Sequence, residues 1–508
     1  MFDPALLEER LAKRSQEDHL LLFGDPHQDD PLRRFPQMRP YHQYTKRRRA
    51  LAGHQSGPLQ DWLFSGQPLH PLRKVYIHFP FCRSRCLYCG FFMGFNRPDK
   101  VQQYLDCLIA EIKRKGQTPW VQGRPFSCVY LGGGTPSDLE PDDLKRLLDA
   151  VHENLPLAND AEITLEGRLK GFDEARQEAA LSRGVNRFSF GVQSFDTLVR
   201  KQVGRKLNRE EVKTRLKELV ADGRALVIVD LIYGLPDQDL AVWQRDIDDL
   251  FDCGVHGVSG YMLRTAVNNP LEKAVRAGLL TPEADLVQRG RMYQALRERL
   301  LAAGWKRLNM THWGADSRER CVYDSQSFAD TDMVAFGCAA HGQINGFGMI
   351  NLPMLEGYLK LVRRGRYPVM FCTQSPPEYR AYFDIADQTG MRMFSFERFA
   401  RKYGLDLKPV LEPVCERWVE MGLLQHQDGY YALTAAGEFW QPNLSQTLMD
   451  CLDLASPEFD DRVIDLRTMR IRRYRFNPDW YREQLRYSPE VPGLADRLPQ
   501  FPPRHGDK

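Results

Sequence analysis

The sequence has no apolar run approaching the roughly 20 residues that a membrane-spanning helix needs. Its start, Met1-Phe2-Asp3-Pro4, lacks the charged and apolar regions of a signal peptide. Both absences lead to the expectation of a cytoplasmic protein without a membrane span. Charge of one sign is also missing: 70 basic and 67 acidic residues leave +3 at neutral pH, too little for a nucleic-acid or membrane footprint. Paired cysteines are scarce. Eight of the 11 (Cys107, Cys128, Cys253, Cys321, Cys338, Cys372, Cys415 and Cys451) are scattered without paired spacing, which suits free buried thiols in a reducing compartment better than disulfides. What remains is the composition expected of a soluble globular enzyme. It is 43% hydrophobic and 27% charged, with a mean hydropathy of −0.48, and 508 residues leave room for about two or three domains.

The other three cysteines stand together in Tyr76-Ile77-His78-Phe79-Pro80-Phe81-Cys82-Arg83-Ser84-Arg85-Cys86-Leu87-Tyr88-Cys89, at C-x3-C-x2-C spacing after a short apolar run. A loop this tight can aim three thiolates at one point. Three are one short of a closed zinc or [4Fe–4S] site, so one metal position stays open. A structural zinc site would favour paired C-x2-C units with a second pair elsewhere.

From Val75 to Leu263, short apolar runs alternate with amphipathic helical stretches. The expected strands are Val75–Phe79, Ser127–Leu131, Glu162–Glu166, Arg187–Gly191, Leu226–Leu231 and Gly257–Leu263; Val101–Lys115 and Glu210–Asp222 are among the expected helices. Apolar strands alternating with helices predict an α/β fold with a parallel sheet covered by helices. Six units fit a partial (β/α)6 TIM-like barrel, whose site lies at the C-terminal strand ends. Glu283–Ala303 reads as a long helix capped by Thr281 and stopped by Gly304, and Trp305–Met310 as a further strand. The expected organisation is an N-terminal extension (1–70), the barrel (71–310), a barrel extension with a Gly-rich loop (311–377), a helical, winged-helix-like C-terminal domain (378–455) and an Arg-rich tail (456–508). The basic run Lys46-Arg47-Arg48-Arg49 reads as a solvated face. No basic excess marks the second helix of the C-terminal module, which reads as a lid or docking domain, not a nucleic-acid binder.

The cysteine motif resembles that of the radical S-adenosylmethionine (SAM) enzymes, and Tyr76 to Cys82 is similar to the opening of the oxygen-independent coproporphyrinogen III oxidase family. The resemblance implies a [4Fe–4S] cluster on Cys82, Cys86 and Cys89, with SAM on the open iron. Reductive cleavage of SAM then yields a 5′-deoxyadenosyl radical. Leu131-Gly132-Gly133-Gly134-Thr135-Pro136 follows the second strand, where a glycine triplet lets backbone reach a charged ligand. Glu166, Gln193 and Asp230 stand at or near the ends of the third, fourth and fifth strands, with Arg205 twelve residues after Gln193. Residue type and order resemble the family's cofactor contacts and imply Tyr76, Gly133, Gly134, Thr135, Glu166, Gln193, Arg205 and Asp230 as a SAM-binding set. One departure is Leu169, where the family commonly has proline.

Three details point away from the oxidase: Phe91 follows Cys89-Gly90 where the oxidase typically has a further cysteine, and the stretch Trp313–Arg320 and the Gly337–Gly348 loop are similar to the anaerobic haem-degrading methyltransferase branch, the anaerobilin synthases. This implies haem as substrate, opened with methyl transfer and release of iron. It also implies a reduced flavodoxin-like or other low-potential electron donor, and allows a haem-delivery or product-reducing protein. The alternatives are coproporphyrinogen III oxidation and a cluster- and SAM-containing haem chaperone. His312 and His341 are candidate iron ligands, and Arg318, Arg320 and the pair Phe91-Phe92 candidate haem contacts.

Overall fold

The computed structural model describes residues 2–40, 45–51, 56–265, 269–326, 328–459 and 472–474. Its core is the run of six parallel strands that the apolar pattern predicts. In chain order these are Leu72–Phe79, Phe126–Gly133, Leu157–Gly167, Arg187–Gln193, Leu226–Tyr233 and Gly257–Met262, each paired with the next. The two-residue period divides the first strand cleanly. Val75, Ile77 and Phe79 are fully buried, and Phe79 packs edge-on against Tyr104 of the helix Pro98–Gly116. Lys74, Tyr76 and His78 face the concave side, where Tyr76 stacks on Tyr130 of the second strand.

The sheet does not close. Beyond the sixth strand it continues antiparallel through His312–Gly314 to Lys306–Arg307. On the other side, Thr331–Phe336 runs parallel to the first strand, followed by antiparallel His341–Ile344, Phe347–Asn351 and Val369–Gln374. The stretch expected as a Gly-rich loop is therefore mostly sheet; its hairpin turns at Asn345-Gly346, both at positive φ. The expected strand Trp305–Met310 shrinks to Lys306–Arg307. The long helix starts later than expected, at Leu286, because Asp285 and Gln288 form a capping box. Thr281 instead donates to Asp237.

The C-terminal module has helices Phe396–Tyr403 and Lys408–Glu420 and the hairpin Leu424–Gln427/Tyr430–Leu433. It is locked to the barrel helix by Glu438, a fully buried carboxylate ion-paired with Arg297, Arg307 and Arg392. The basic run is not a solvated face. Arg47 is nearly buried against Glu378 and Glu458, and Lys46 pairs with Asp450. Arg39 also meets Asp450, at 2.5 Å, so this segment straps the helix Gln441–Ala455. Of the Arg-rich tail, only 456–459 and the strand Arg472–Tyr474 fall within the described residues. Among the described residues, no helix is long and apolar enough to cross a membrane.

Candidate functional site

The cysteine loop leaves the C-terminal end of the first strand and is held from the ends of the next three. Phe81–Cys82 pairs with Gly94–Phe95, which folds the loop back on itself. The glycine triplet docks beneath it: Gly134 N–H donates to the Phe79 carbonyl at 2.6 Å and Thr135 N–H to that of Phe81 at 2.9 Å. This places the Thr135 hydroxyl 3.3 Å from Cys82 Sγ. From the third strand end, Arg168 donates to the Thr135 hydroxyl and to the Ser84 side chain and carbonyl, inside the C-x3-C segment. From beyond the fourth, the Val203 carbonyl accepts from Leu87 N–H, and Arg205 donates to the Tyr88 hydroxyl at 2.8 Å. Cys82 and Cys86 are buried and Cys89 half-buried. Burial pushes the Cys89 thiol up, and the neighbouring Cys86 and Cys82 sulfurs push it further. Three free thiols gathered on one loop suit a metal cluster, whose positive charge would turn them into thiolates.

The remaining candidates surround the concave side next to this loop. Gly133 sits at φ +104, and a Cβ there would lie 2.5 Å from the His78 ring; a Cβ at Gly134 would strike the Phe81 carbonyl. Only glycine therefore allows the triplet to pack this closely against His78 and the start of the cysteine loop. Glu166 accepts from the Tyr130 hydroxyl at 2.7 Å and from Gly133 N–H at 3.0 Å. Burial pushes its carboxyl up to about 7, and the Asp230 charge adds to this against those two hydrogen bonds. Asp230 is raised by burial too, opposed by His312 and Arg187. The strand register slips between Gly191 and Gln193, and Gln193 takes φ +74, which turns its side chain inward at the strand end. Gln193 Oε1, Arg205 Nε and His78 Nε2 are buried with no hydrogen-bond partner among the described residues. Orphaned buried polar atoms of this kind suit a polar ligand. Tyr76 places its hydroxyl 2.9 Å from His78 Nδ1. Burial, with His341 nearby, lowers the His78 pKa to about 4, so this imidazole is neutral.

Two expectations about haem contacts fail on geometry. His312 is fully buried, with Nδ1 2.9 Å from the Ser259 hydroxyl and Nε2 2.9 Å from Glu319, so neither nitrogen is open to an iron. Arg320 pairs with Asp160 near the N-terminal end of the third strand, opposite the cysteine loop, and Arg318 pairs with Asp316 on the surface. His341 is exposed beside the end of the first strand. Phe91 is 69% exposed, while Phe92 packs between Phe95 and Arg85.

Sequence reasoning missed Arg168 and the contents of the barrel. Tyr130 stacks on Tyr323 at 4.4 Å, Asp324 lies near Glu166 and Asp230, and Arg187 forks onto Glu319. Burial would raise Glu319, but the bonds from His312 and the Arg187 charge hold it near 2. His312, Glu319 and Cys321 lie close enough together to hold a metal, but the Arg187 cation already occupies the carboxylate they would share.

Residues 76–250 match the radical SAM superfamily and residues 389–440 the HemN C-terminal domain. An anaerobilin synthase of Escherichia coli O157:H7 is 36% identical over 75% of this chain and 85% of its own. The chain belongs to the radical SAM superfamily, in the family that carries the HemN C-terminal domain. Radical SAM proteins use a [4Fe–4S] cluster and SAM, and the three-thiol loop and its orphaned polar neighbours fit that pair. The same family includes the haem chaperone HemW of Escherichia coli K12, 32% identical over 75% of this chain and 98% of that one. The solved coproporphyrinogen III oxidase of Escherichia coli shares the fold, with a TM-score of 0.68 at 22% identity over 79% of this chain and 94% of that one.

Proposed function

We propose that the protein is a radical SAM C-methyltransferase that opens the porphyrin ring of haem without oxygen, releasing iron and leaving a methylated linear tetrapyrrole. The observation that carries this reading is the 36% identity to an anaerobilin synthase over 85% of that relative's length. When bound, the cluster and SAM supply one-electron cleavage of the sulfonium. This chain's part is to orient and to exclude water.

In this reading Cys82, Cys86 and Cys89 hold the cluster and Arg205 pairs the SAM carboxylate. The backbone of Gly133, Gly134 and Thr135, together with Glu166, receives the ammonium. Gln193, Asp230 and Tyr76 meet the ribose and adenine side. Tyr130 and Tyr323, stacked beside Tyr76, add aromatic surface to the concave side of the kind a porphyrin packs on. His341 is the remaining imidazole candidate for the iron. The electron comes from a low-potential donor protein.

The chaperone reading is second, favoured by a relative matched over 98% of its length. Anaerobic incubation with dithionite, SAM and haem, followed by mass spectrometry, separates the two. The proposed function predicts 5′-deoxyadenosine, free iron and a methylated linear tetrapyrrole. Haem recovered intact on the protein would establish the chaperone. In a parallel incubation with coproporphyrinogen III in place of haem, its turnover while haem survives would establish the oxidase.

A further inference from the structure

We infer that the outer surface of the cysteine loop is the docking site for a small acidic redox protein that delivers the electron. This rests on the assignment of the cluster to Cys82, Cys86 and Cys89. The inner side of that loop meets Gly134, Thr135 and Arg205 of the proposed SAM set, so an electron carrier has to approach from outside. There the chain presents cations. Arg85 belongs to the loop, Arg97 precedes the helix Pro98–Gly116 just after the return strand Gly94–Phe95, and both are exposed. Lys170 follows Arg168, which is bonded to Ser84 of the loop; Lys201 and Lys206 flank Val203, which is bonded to Leu87. All three lysines are exposed. None of these five cations has an ion pair among the described residues.

Glu140 pairs with Arg83 and Arg176, Asp173 also pairs with Arg176, and Asp196 caps the helix Thr197–Gln202. Asp237 takes the Gln202 amide and the Thr281 hydroxyl. Five exposed cations without an ion pair among the described residues thus surround the loop, in a chain whose total charge is only +3. At its centre Phe91 and Phe95 are 69% and 56% exposed. An apolar centre with a cationic rim is the composition of a transient docking face, and it selects an anionic partner by steering. The step it serves makes no bond: the donor is oxidised by one electron and the cluster reduced by one.

The test compares the intact protein with a Lys170→Glu/Lys201→Glu/Lys206→Glu variant, all three sites being exposed and outside the binding set. SAM cleavage is driven either by photoreduced flavodoxin, an acidic protein donor, or by dithionite, which needs no docking face. The expected result is a fall of about tenfold or more in the flavodoxin-driven kcat/KM at low salt. The dithionite-driven rate should be unchanged, and salt sensitivity should be lost only in the variant. Titration of oxidised flavodoxin by calorimetry reads docking without turnover and should show the same loss. Unchanged flavodoxin binding and rate would overturn the inference, as would equal losses with both reductants. A wild-type protein that loads no cluster would sink the cluster assignment instead, a separate result read from iron content.

Discussion

At the residue scale the site rests on a few side chains held in costly states. Three thiols on one loop imply that Cys82→Ala, Cys86→Ala and Cys89→Ala each fail to retain the roughly four irons of anaerobic reconstitution; iron analysis and the visible spectrum check this. Arg205 beside Tyr88 of the cysteine loop and Asp230 on the fifth strand are both half-buried charges, and loss of a buried charged partner costs roughly 2–5 kcal/mol. Arg205→Ala and Asp230→Ala should each weaken SAM binding by tens of times or more, read by equilibrium binding. Glu166 makes a pH-dependent prediction. Its folded pKa, about 7, lies above the ordinary 4.5. The folded protein without SAM therefore holds a proton that the unfolded chain releases, and the resulting stability is present below pH 4.5 and lost as pH rises through 7. Glu166→Gln should raise the melting temperature of SAM-free protein at pH 8, by about 1–3 kcal/mol of stability, and change little at pH 4.5. A bound ammonium would reverse the sign by drawing the carboxylate into its charged form.

At the element scale, strand ends do the positioning. The slip at Gly191–Gln193 and the docked glycine triplet aim side chains that a regular strand would point elsewhere. Gly133→Ala combines φ +104 with a contact 2.5 Å from His78. It should lower stability by roughly 1–3 kcal/mol and weaken SAM binding more than iron retention. The barrel floor depends on one ion pair. Arg187 and Glu319 are both buried, with Arg187 Nη2 3.0 Å from Glu319. Arg187→Met would leave the buried Glu319 carboxylate with His312 but without its guanidinium, at a cost of about 3 kcal/mol, visible as a lower denaturation midpoint. Replacing both partners by apolar residues should recover much of that loss.

At the scale of the whole molecule, the sequence by itself determined the parallel core and the order of the candidate site. Strand positions follow from two-residue periodicity and short apolar runs, which are local properties. Cysteine spacing and glycine placement are local too, so the thiol loop and the triplet are legible in the residues alone. Distant pairing is not. Arg47 reads as solvated in a basic run because its partners, Glu378 and Glu458, lie over 330 residues away. Arg320 reads as a site cation by its motif, yet its position on the sheet sends it to the opposite end of the strands. His312 reads as a free imidazole until Ser259 and Glu319 close on its two nitrogens. A side chain's chemistry is written in its type. Its availability depends on which partners the fold brings within hydrogen-bond range, and only the tertiary structure decided that.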